Sequence, residues 1–540
     1  MNVSKVSRRD MMRSTTAAGL VLAVGAAGRS AGAQQAAGNV AAAAASNVPA
    51  EPHQRPNVLV IHTDQHRIDC LGAYGNAQVR TPHIDSLAAD GVRFTNSFCP
   101  LPVCTPSRYS LLSGLYVHQH QGWSNRSTLK PGTDTFASIL KEAGYRTKAV
   151  GKMHFTPTYL DVGFEELELA EQDGPGRFDD DYHRYLRQRD LMDGIDIQDQ
   201  RKEYRDKAPP EYWETFGAAR SDLAEPHHST TWIADRAMET LGRWTASGNL
   251  LMVGFIKPHH PFDPPAPWDA TYDPEKLSIL PGWTDEPFPH DAQLSGGYFP
   301  NAKLAPPVLR RVMAYYYATL SQIDFHVGRM IDLLKTRGLY ENTMIVFTSD
   351  HGDYMGFHHL LLKGNHMYDP LVKVPLIIKY PRQAARGTAS DALVSNVDVA
   401  PTILRQAGCR IGRDMHGMNL AEDVKREIVF AEIGGDGQLM ARTRTRKLIL
   451  RQSREKSLFF DLEADPLEMT NLYGRPEHQA EIDRLAKAIE DWRGPAASTR
   501  VYVDENAATI KQPNVPNLDD NHRQEMIAYF QKKMGLAPAK

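Results

Sequence analysis

Five short, nearly unbroken apolar runs punctuate this chain, at Asn57–Asp64 (ending on its acid), Thr147–Val150, Leu250–Ile256, Met344–Thr348 and Val374–Lys379. Each is too brief for a helix and lacks the polar alternation of a half-exposed strand, which is the pattern of strands buried on both faces of a parallel sheet. The intervening segments read as helices. Thr81–Gly91 and Thr135–Gly144 each close on glycine, and Pro306–Leu339 carries Leu309, Val312, Met313, Tyr316 and Leu320 at helical spacing. Strands alternating with helices predict an α/β fold around a large, mostly parallel, doubly wound sheet flanked by helices.

Past about residue 406 the pattern changes. Lys447–Arg451 and Ser457–Asp461 read as short antiparallel strands and Glu477–Trp492 as a helix, so residues 406–500 are expected to form a smaller α+β subdomain and residues 501–540 a polar arm. The charged, aromatic-rich stretch 165–228 is expected to be a lid or pocket wall inserted in a catalytic domain spanning 55–405.

The first residues read as an address. Arg8-Arg9, a Gly/Ala-rich apolar stretch and Ala31-Gly32-Ala33 match a twin-arginine signal peptide over 1–33, followed by an Ala-rich linker over 34–54. The expected partner is therefore the twin-arginine export machinery, and the expected location periplasmic or secreted. The apolar stretch is too short and too rich in small residues for stable membrane insertion. A net charge of -3 provides no basic face for nucleic acid. Four cysteines in 540 residues make no disulfide framework. Oligomeric state is not legible.

Two constellations carry chemistry. Asp64-Gln65 and Asp350-His351 each follow an apolar run, and ligands of open α/β sheets bind beyond the carboxyl ends of the strands. Either pair alone fits an acid capping a strand-to-helix turn. Together they offer two carboxylates, an amide oxygen and an imidazole, a set for Ca²⁺ or Mg²⁺, with the imidazole also admitting Mn²⁺. The second constellation is Cys104-Thr-Pro-Ser-Arg108 ahead of a helical stretch. Pro106 suits a first helical turn, so Cys104 is expected at the helix N-terminus, where backbone N–H groups favour an anionic nucleophile and substrate. Arg108, one turn on, offers a planar fork to sulfate or phosphate. A lone cysteine is more often a buried structural residue.

The Cys104–Arg108 pentapeptide resembles the signature of type I sulfatases in the alkaline phosphatase superfamily. So, in the family's order, do Asn57–Gln65, Gly151-Lys-Met-His154, Lys257–Phe262, Thr348–Gly352, Lys363-Gly364 ahead of Val374-Pro375, and Leu458–Leu472. The resemblance covers roughly residues 55 to 480 and implies an alkaline-phosphatase-like sandwich. It also implies that Cys104 becomes Cα-formylglycine through a formylglycine-generating maturation enzyme, with a hydrated gem-diol as nucleophile. Asp64, Gln65, Asp350, His351 and the oxygens of residue 104 would hold one divalent metal, Ca²⁺ ahead of Mg²⁺ or Mn²⁺. Arg108, Lys152, His154, His259 and Lys363 match pocket residues, and Asn125 a substrate-contacting position. Gln65 and His351 stand where many members carry Asp and Asn.

The implied reaction is hydrolysis of a sulfate ester, of a sulfated glycan or oligosaccharide in first place. Lys152, Lys363, Arg108 and the metal would neutralise the anion, His259 with Lys363 would protonate the leaving oxygen, and His154 would take the second proton. The resemblance implies His259 rather than His260, because the family's pattern P-H-x-P-F places the histidine immediately after Pro258. An alternative is a phosphonate monoester or phosphodiester hydrolase, which Asp350-His351, Lys363 and His358-His359 also resemble. A non-catalytic anion-binding relative would have lost Cys104, Arg108 or a metal acid, and none is lost.

Overall fold

A computed structural model describes residues 55–535 apart from 173–179, 293–298, 365, 384–385, 435–436, 495–499, 505 and 511–519. The proposed signal peptide and linker lie outside the described residues, as do parts of the C-terminal arm.

Eight strands form the principal sheet: β1 (Asn57–Thr63), β2 (Val92–Phe98), β3 (Arg146–Gly151), β4 (Glu166–Leu169), β5 (Asn249–Gly254), β6 (Thr343–Ser349), β7 (Leu376–Lys379) and β8 (Thr388–Ser395). Their spatial order is β4-β3-β5-β1-β6-β7-β2-β8. The five apolar runs are five of these strands, and β1 lies at the centre, parallel to both β5 and β6.

Alternation along β1 builds two core layers, because successive side chains point to opposite faces. Val58 and Val60 pack with Leu111, Leu112, Phe136, Leu140 and Ile403 on one face. Leu59 and Ile61 pack with Ile233, Ala237, Ile323, Val327 and Met330 on the other. The helices Cys104–Ser113, Phe136–Glu142 and Val399–Gln406 thus cover one face, and Ser229–Arg243 and the 31-residue Pro306–Thr336 cover the other.

One strand departs from the parallel expectation. β7 runs antiparallel to both β6 and β2. Among its described residues the link from β6 to β7 holds a 3-10 turn, Phe357–His359, and a four-residue helix, Asp369–Val372, neither long enough to cross the sheet, so the chain re-enters it from the end at which it left. That link is held at the carboxyl end of the sheet, and it carries Lys363.

A second sheet, β9 (Val429–Ile433), β10 (Gln438–Arg442), β11 (Arg446–Leu450) and β12 (Leu458–Asp461), is antiparallel throughout. The helix Gln479–Arg493 buries Ile482, Leu485 and Ile489 against Leu448, Leu450 and Phe459. The stretch 165–228 holds β4 and the short helices Asp181–Gln188, Gly194–Gln200 and Pro210–Glu214. Met526 and Phe530 of a C-terminal helix, Asp520–Lys533, pack on Ile197 and Tyr204 of that insertion. No helix among the described residues is long and apolar enough to cross a membrane.

Candidate active site

The register of the central strands assembles the first constellation. Thr63 of β1 pairs with Ser349 of β6, so Asp64 and Asp350 leave the sheet side by side. Gln65 turns through the left-handed region (φ 62°), uncommon for a residue with a side chain. Its backbone N–H donates to Asp350 Oδ1 at 3.1 Å, which ties the two turns together. The Gln65 amide nitrogen donates to Asp353 at 2.6 Å, while its Oε1 is buried without a hydrogen-bond partner.

Cys104 is the first residue of the Cys104–Ser113 helix and is completely buried. Its Sγ lies 3.0 Å from Lys363 Nζ, 3.4 Å from His351 Nε2 and 3.7 Å from Asp64 Oδ1. Burial and Asp64 push the thiol up, yet Lys363, Lys152 and His351 outweigh them and hold it well below its ordinary range. Burial likewise raises the Asp64 carboxyl, and Lys152, His259, Arg108 and Lys363 bring it well below the usual carboxylate range.

Ligand atoms of Asp64, Cys104, Asp350 and His351 lie within 4.8 Å of one another. His351 Nδ1 donates to the Gly352 carbonyl at 2.9 Å, which points Nε2 at Asp64 and Cys104. With the unpartnered Gln65 Oε1, these residues form an oxygen-rich donor set that fits a hard divalent cation.

Arg108 stands elsewhere than the sequence suggests. Its fork is not open to an anion. Nε and Nη2 bind Asp350 Oδ2, Nη2 also binds Asp64 Oδ2 at 3.0 Å, and Nη1 donates to the Lys152 carbonyl at 2.6 Å. The guanidinium braces the two acids, which would repel each other in this buried setting without it.

Lys152 follows β3 directly. Gly151 (φ 90°) has no room for a side chain, since a Cβ there would sit 2.1 Å from the Gly254 carbonyl. The close approach of β3 and β5 delivers Lys152 Nζ to Asp64 Oδ2 at 2.7 Å. Beyond it His154 is buried with neither ring nitrogen hydrogen-bonded, and its backbone carbonyl accepts from Thr105 Oγ1 at 2.8 Å. The Asn125 amide oxygen accepts from the Thr105 backbone N–H at 3.1 Å, which places this half-buried side chain at the mouth of the Cys104 helix.

His259 and Lys363 close the site from the other side. Lys363 Nζ is 3.0 Å from His259 Nε2, and His259 Nδ1 donates to the His260 carbonyl at 2.7 Å. Burial, Lys363 and His260 drive the His259 imidazole well below its ordinary range, so it is neutral with its Nε2 lone pair toward the ammonium. His260 turns away and holds Asp199 at 2.6 Å. His358 and His359 also face elsewhere, His358 toward Asp291 and the Leu467 carbonyl, His359 toward the Thr284 carbonyl.

A second set of possible metal ligands, His290, Asp291 and His366, surrounds the Asp291 carboxylate. Arg451 donates to His366 Nδ1 at 2.6 Å, which leaves that neutral ring's proton on Nε2 and no lone pair for a cation there. Tyr368 and His358 also bind Asp291, so the group forms a hydrogen-bonded hub rather than a metal site.

Sequence spacing missed three residues that shape the site. Asp353, three positions after Asp350, orients Gln65 and has a carboxyl pushed up to about 6 by burial. Glu171 accepts from the backbone N–H groups of Met153 and His154, and burial pushes it up to about 7. Gln172 contacts Lys152 Nζ at 3.2 Å. The acid in Asp350-His-Gly-Asp353 was a local signal, whereas Glu171 and Gln172 had none.

The model of the family described as Sulfatase matches residues 56–409. An arylsulfatase of Clostridium perfringens is 29% identical over 474 residues, spanning 81% of this chain and 94% of its own length. An ulvan-active sulfatase of Formosa agariphila is 29% identical over 479 residues, spanning 83% and 84% respectively. Among solved structures, a phosphonate monoester hydrolase of Agrobacterium radiobacter superposes with a TM-score of 0.69 at 23% identity, covering 85% of this chain and all of its own, which is a likeness of fold. On the family match and the near full-length relatives, the chain belongs to the sulfatase family of the alkaline phosphatase superfamily and is a sulfuric ester hydrolase.

Proposed function

We propose that this sulfatase releases sulfate from a sulfated glycan or oligosaccharide, using Cys104 converted to Cα-formylglycine and one divalent cation, Ca²⁺ before Mg²⁺ or Mn²⁺. The carrying observation is the convergence on Cys104 of Asp64, His351 and Lys363, all within 3.7 Å of its Sγ. When present, the cation would act as Lewis acid and the hydrated formylglycine would supply the attacking oxygen. Asp64, Gln65, Asp350 and His351 would hold the cation, with residue 104 beside it.

The chain's own groups supply the rest. Lys152 and Lys363 neutralise the sulfate, while Arg108 keeps Asp64 and Asp350 together. Because His259 is neutral in the free site, the proton for the leaving oxygen resides on Lys363, and the 3.0 Å Lys363–His259 contact is the route by which the pair delivers it. His154, with both ring nitrogens unpartnered, is the base for the second step. Asn125 contacts the substrate at the mouth.

The test is leaving-group dependence. His259→Ala is expected to depress turnover of a sugar sulfate roughly 10²–10⁴-fold more than that of an activated aryl sulfate, the usual span of general acid–base catalysis. Equal losses on both substrates would remove His259 from proton delivery. Phosphonate monoester or phosphodiester hydrolysis is the second reading, supported by His351 and Lys363 at the site; parallel kinetics on both ester classes decide between them. His358 and His359, which face away, lend it no support.

The twin-arginine pattern supports export to the periplasm or beyond, with a formylglycine-generating enzyme as maturation partner. We also keep the division into a catalytic domain (55–405, with a lid at 165–228), a C-terminal subdomain (406–500) and an arm (501–540). A desulfation screen across sulfated glycans and small esters identifies the substrate.

A further inference from the structure

The stretch 165–228 reaches into the site through one buried side chain. β4 runs parallel to β3 with Leu169 opposite Gly151, so the residues leaving β4 emerge beside Lys152. Gln172 is the third residue past β4 and is fully buried. Its Oε1 accepts from Lys152 Nζ at 3.2 Å. Its Nε2 donates to Asp196 Oδ1 at 2.7 Å and to the His260 carbonyl at 2.8 Å.

This arrangement fixes the amide's orientation, since an ammonium requires an acceptor and a carboxylate and a carbonyl require donors. The His260 carbonyl is a hub. It also accepts from His259 Nδ1 at 2.7 Å and from Gln200 Nε2 at 2.9 Å. One amide thus joins the lysine on Asp64 to the carbonyl that sets the tautomer and orientation of His259. Asp199 binds His260 Nδ1 at 2.6 Å, and the His260 ring stacks on His259 at 4.2 Å between centroids, so the same insertion supports the pair from its far side.

We propose that Gln172 is a positioning residue of the sulfatase site, which sets Lys152 for the sulfate group and His259 for the leaving oxygen through one amide and makes the 165–228 insertion part of the catalytic framework. The proposal rests on the roles given above to Lys152 and His259. A side chain of equal length without both a donor and an acceptor cannot hold both. Gln172→Met loses both links. Gln172→Glu keeps an oxygen for Lys152 but turns a second oxygen toward Asp196 and the His260 carbonyl, where like partners repel.

The experiment uses full-length, metal-loaded, formylglycine-bearing enzyme, with a nitrophenyl sulfate and a sugar sulfate as probes. Gln172→Met is expected to raise KM for both substrates and to lower kcat further for the sugar sulfate. Gln172→Glu is expected to spare KM relative to Gln172→Met while retaining the extra kcat loss on the sugar sulfate. Double-mutant cycles of Gln172→Met with Lys152→Met and with His259→Ala should each show non-additivity on the order of 10-fold in kcat/KM. Losses that are equal on both substrates, and that multiply independently to within about twofold in both cycles, would overturn the proposal, because a mere space-filling residue behaves that way. Should Gln172→Met fail to fold, the split between KM and kcat in Gln172→Glu decides alone. The His259→Ala comparison by itself judges the reading of His259 as proton donor, and if that reading fails the cycle with Lys152 still judges Gln172.

Discussion

Replacing Arg108 by methionine should unmask the repulsion that this side chain suppresses. Its guanidinium is 3.0 Å from both Asp64 and Asp350, and all three side chains are at most 1% exposed. Without it Asp64 keeps Lys152 at 2.7 Å, but Asp350 keeps only the more distant His351 at 3.9 Å as an ionic partner among the described residues. Breaking a buried ion pair from one side costs about 3–5 kcal/mol, and the lower end applies because Lys152 and backbone N–H groups remain. At about 2.1 cal/mol/K per residue, a unit of about 490 residues unfolds with an entropy near 1 kcal/mol/K, so the melting temperature should fall by about 3 °C. The assay is thermal unfolding in chelator and again in excess Ca²⁺. Because a cation replaces the lost positive charge, its stabilising shift should be larger in Arg108→Met than in the parent. A variant that melts with the parent in chelator, or that gains no more than the parent from Ca²⁺, would refute the bracing argument and return Arg108 to anion binding.

Peptide mass spectrometry of active enzyme should show an aldehyde or its hydrate at Cys104; full activity with an intact thiol there would exclude the formylglycine mechanism. Chelation should abolish turnover and Ca²⁺, Mg²⁺ or Mn²⁺ restore it, and Asp350→Asn should lose most activity while remaining folded, which circular dichroism and kinetics check together. Glu171 provides a stability signature with a defined sign. Its folded pKa of about 7 lies above the ordinary 4.5, so its contribution is intact below 4.5 and declines as pH rises to 7. Relative to Glu171→Gln, the parent should lose about 3 kcal/mol across that window, and a pH-independent difference in denaturant unfolding would contradict the shift.

Much of this protein was written locally. Unbroken apolar runs can be buried on both faces only in a covered sheet, so β1, β3, β5, β6 and β7 were legible, and so were the acids that follow β1 and β6. The Cys104 pentapeptide with Pro106 announced a helix N-terminus, and Cys104 opens the helix. These features depend on nearest neighbours and short periods, which sequence displays directly. β2 and β8 leave no such signal, because intermediate burial along β2 and an exposed start to β8 require no continuous apolar run. The antiparallel return of β7 depended on a link that, among its described residues, holds nothing longer than a four-residue helix. Tertiary structure alone decided where charges ended up. Arg108 turned inward because two buried carboxylates 242 and 44 residues distant needed a counter-charge more than the pocket needed a free fork. Gln172, Asp199 and Gln200 met Lys152 and His260 only through the packing of an aperiodic insertion onto the carboxyl ends of β3 and β5. A hydrogen bond between residues far apart in the chain leaves no spacing to read, because each partner's identity is constrained by the other and not by its neighbours.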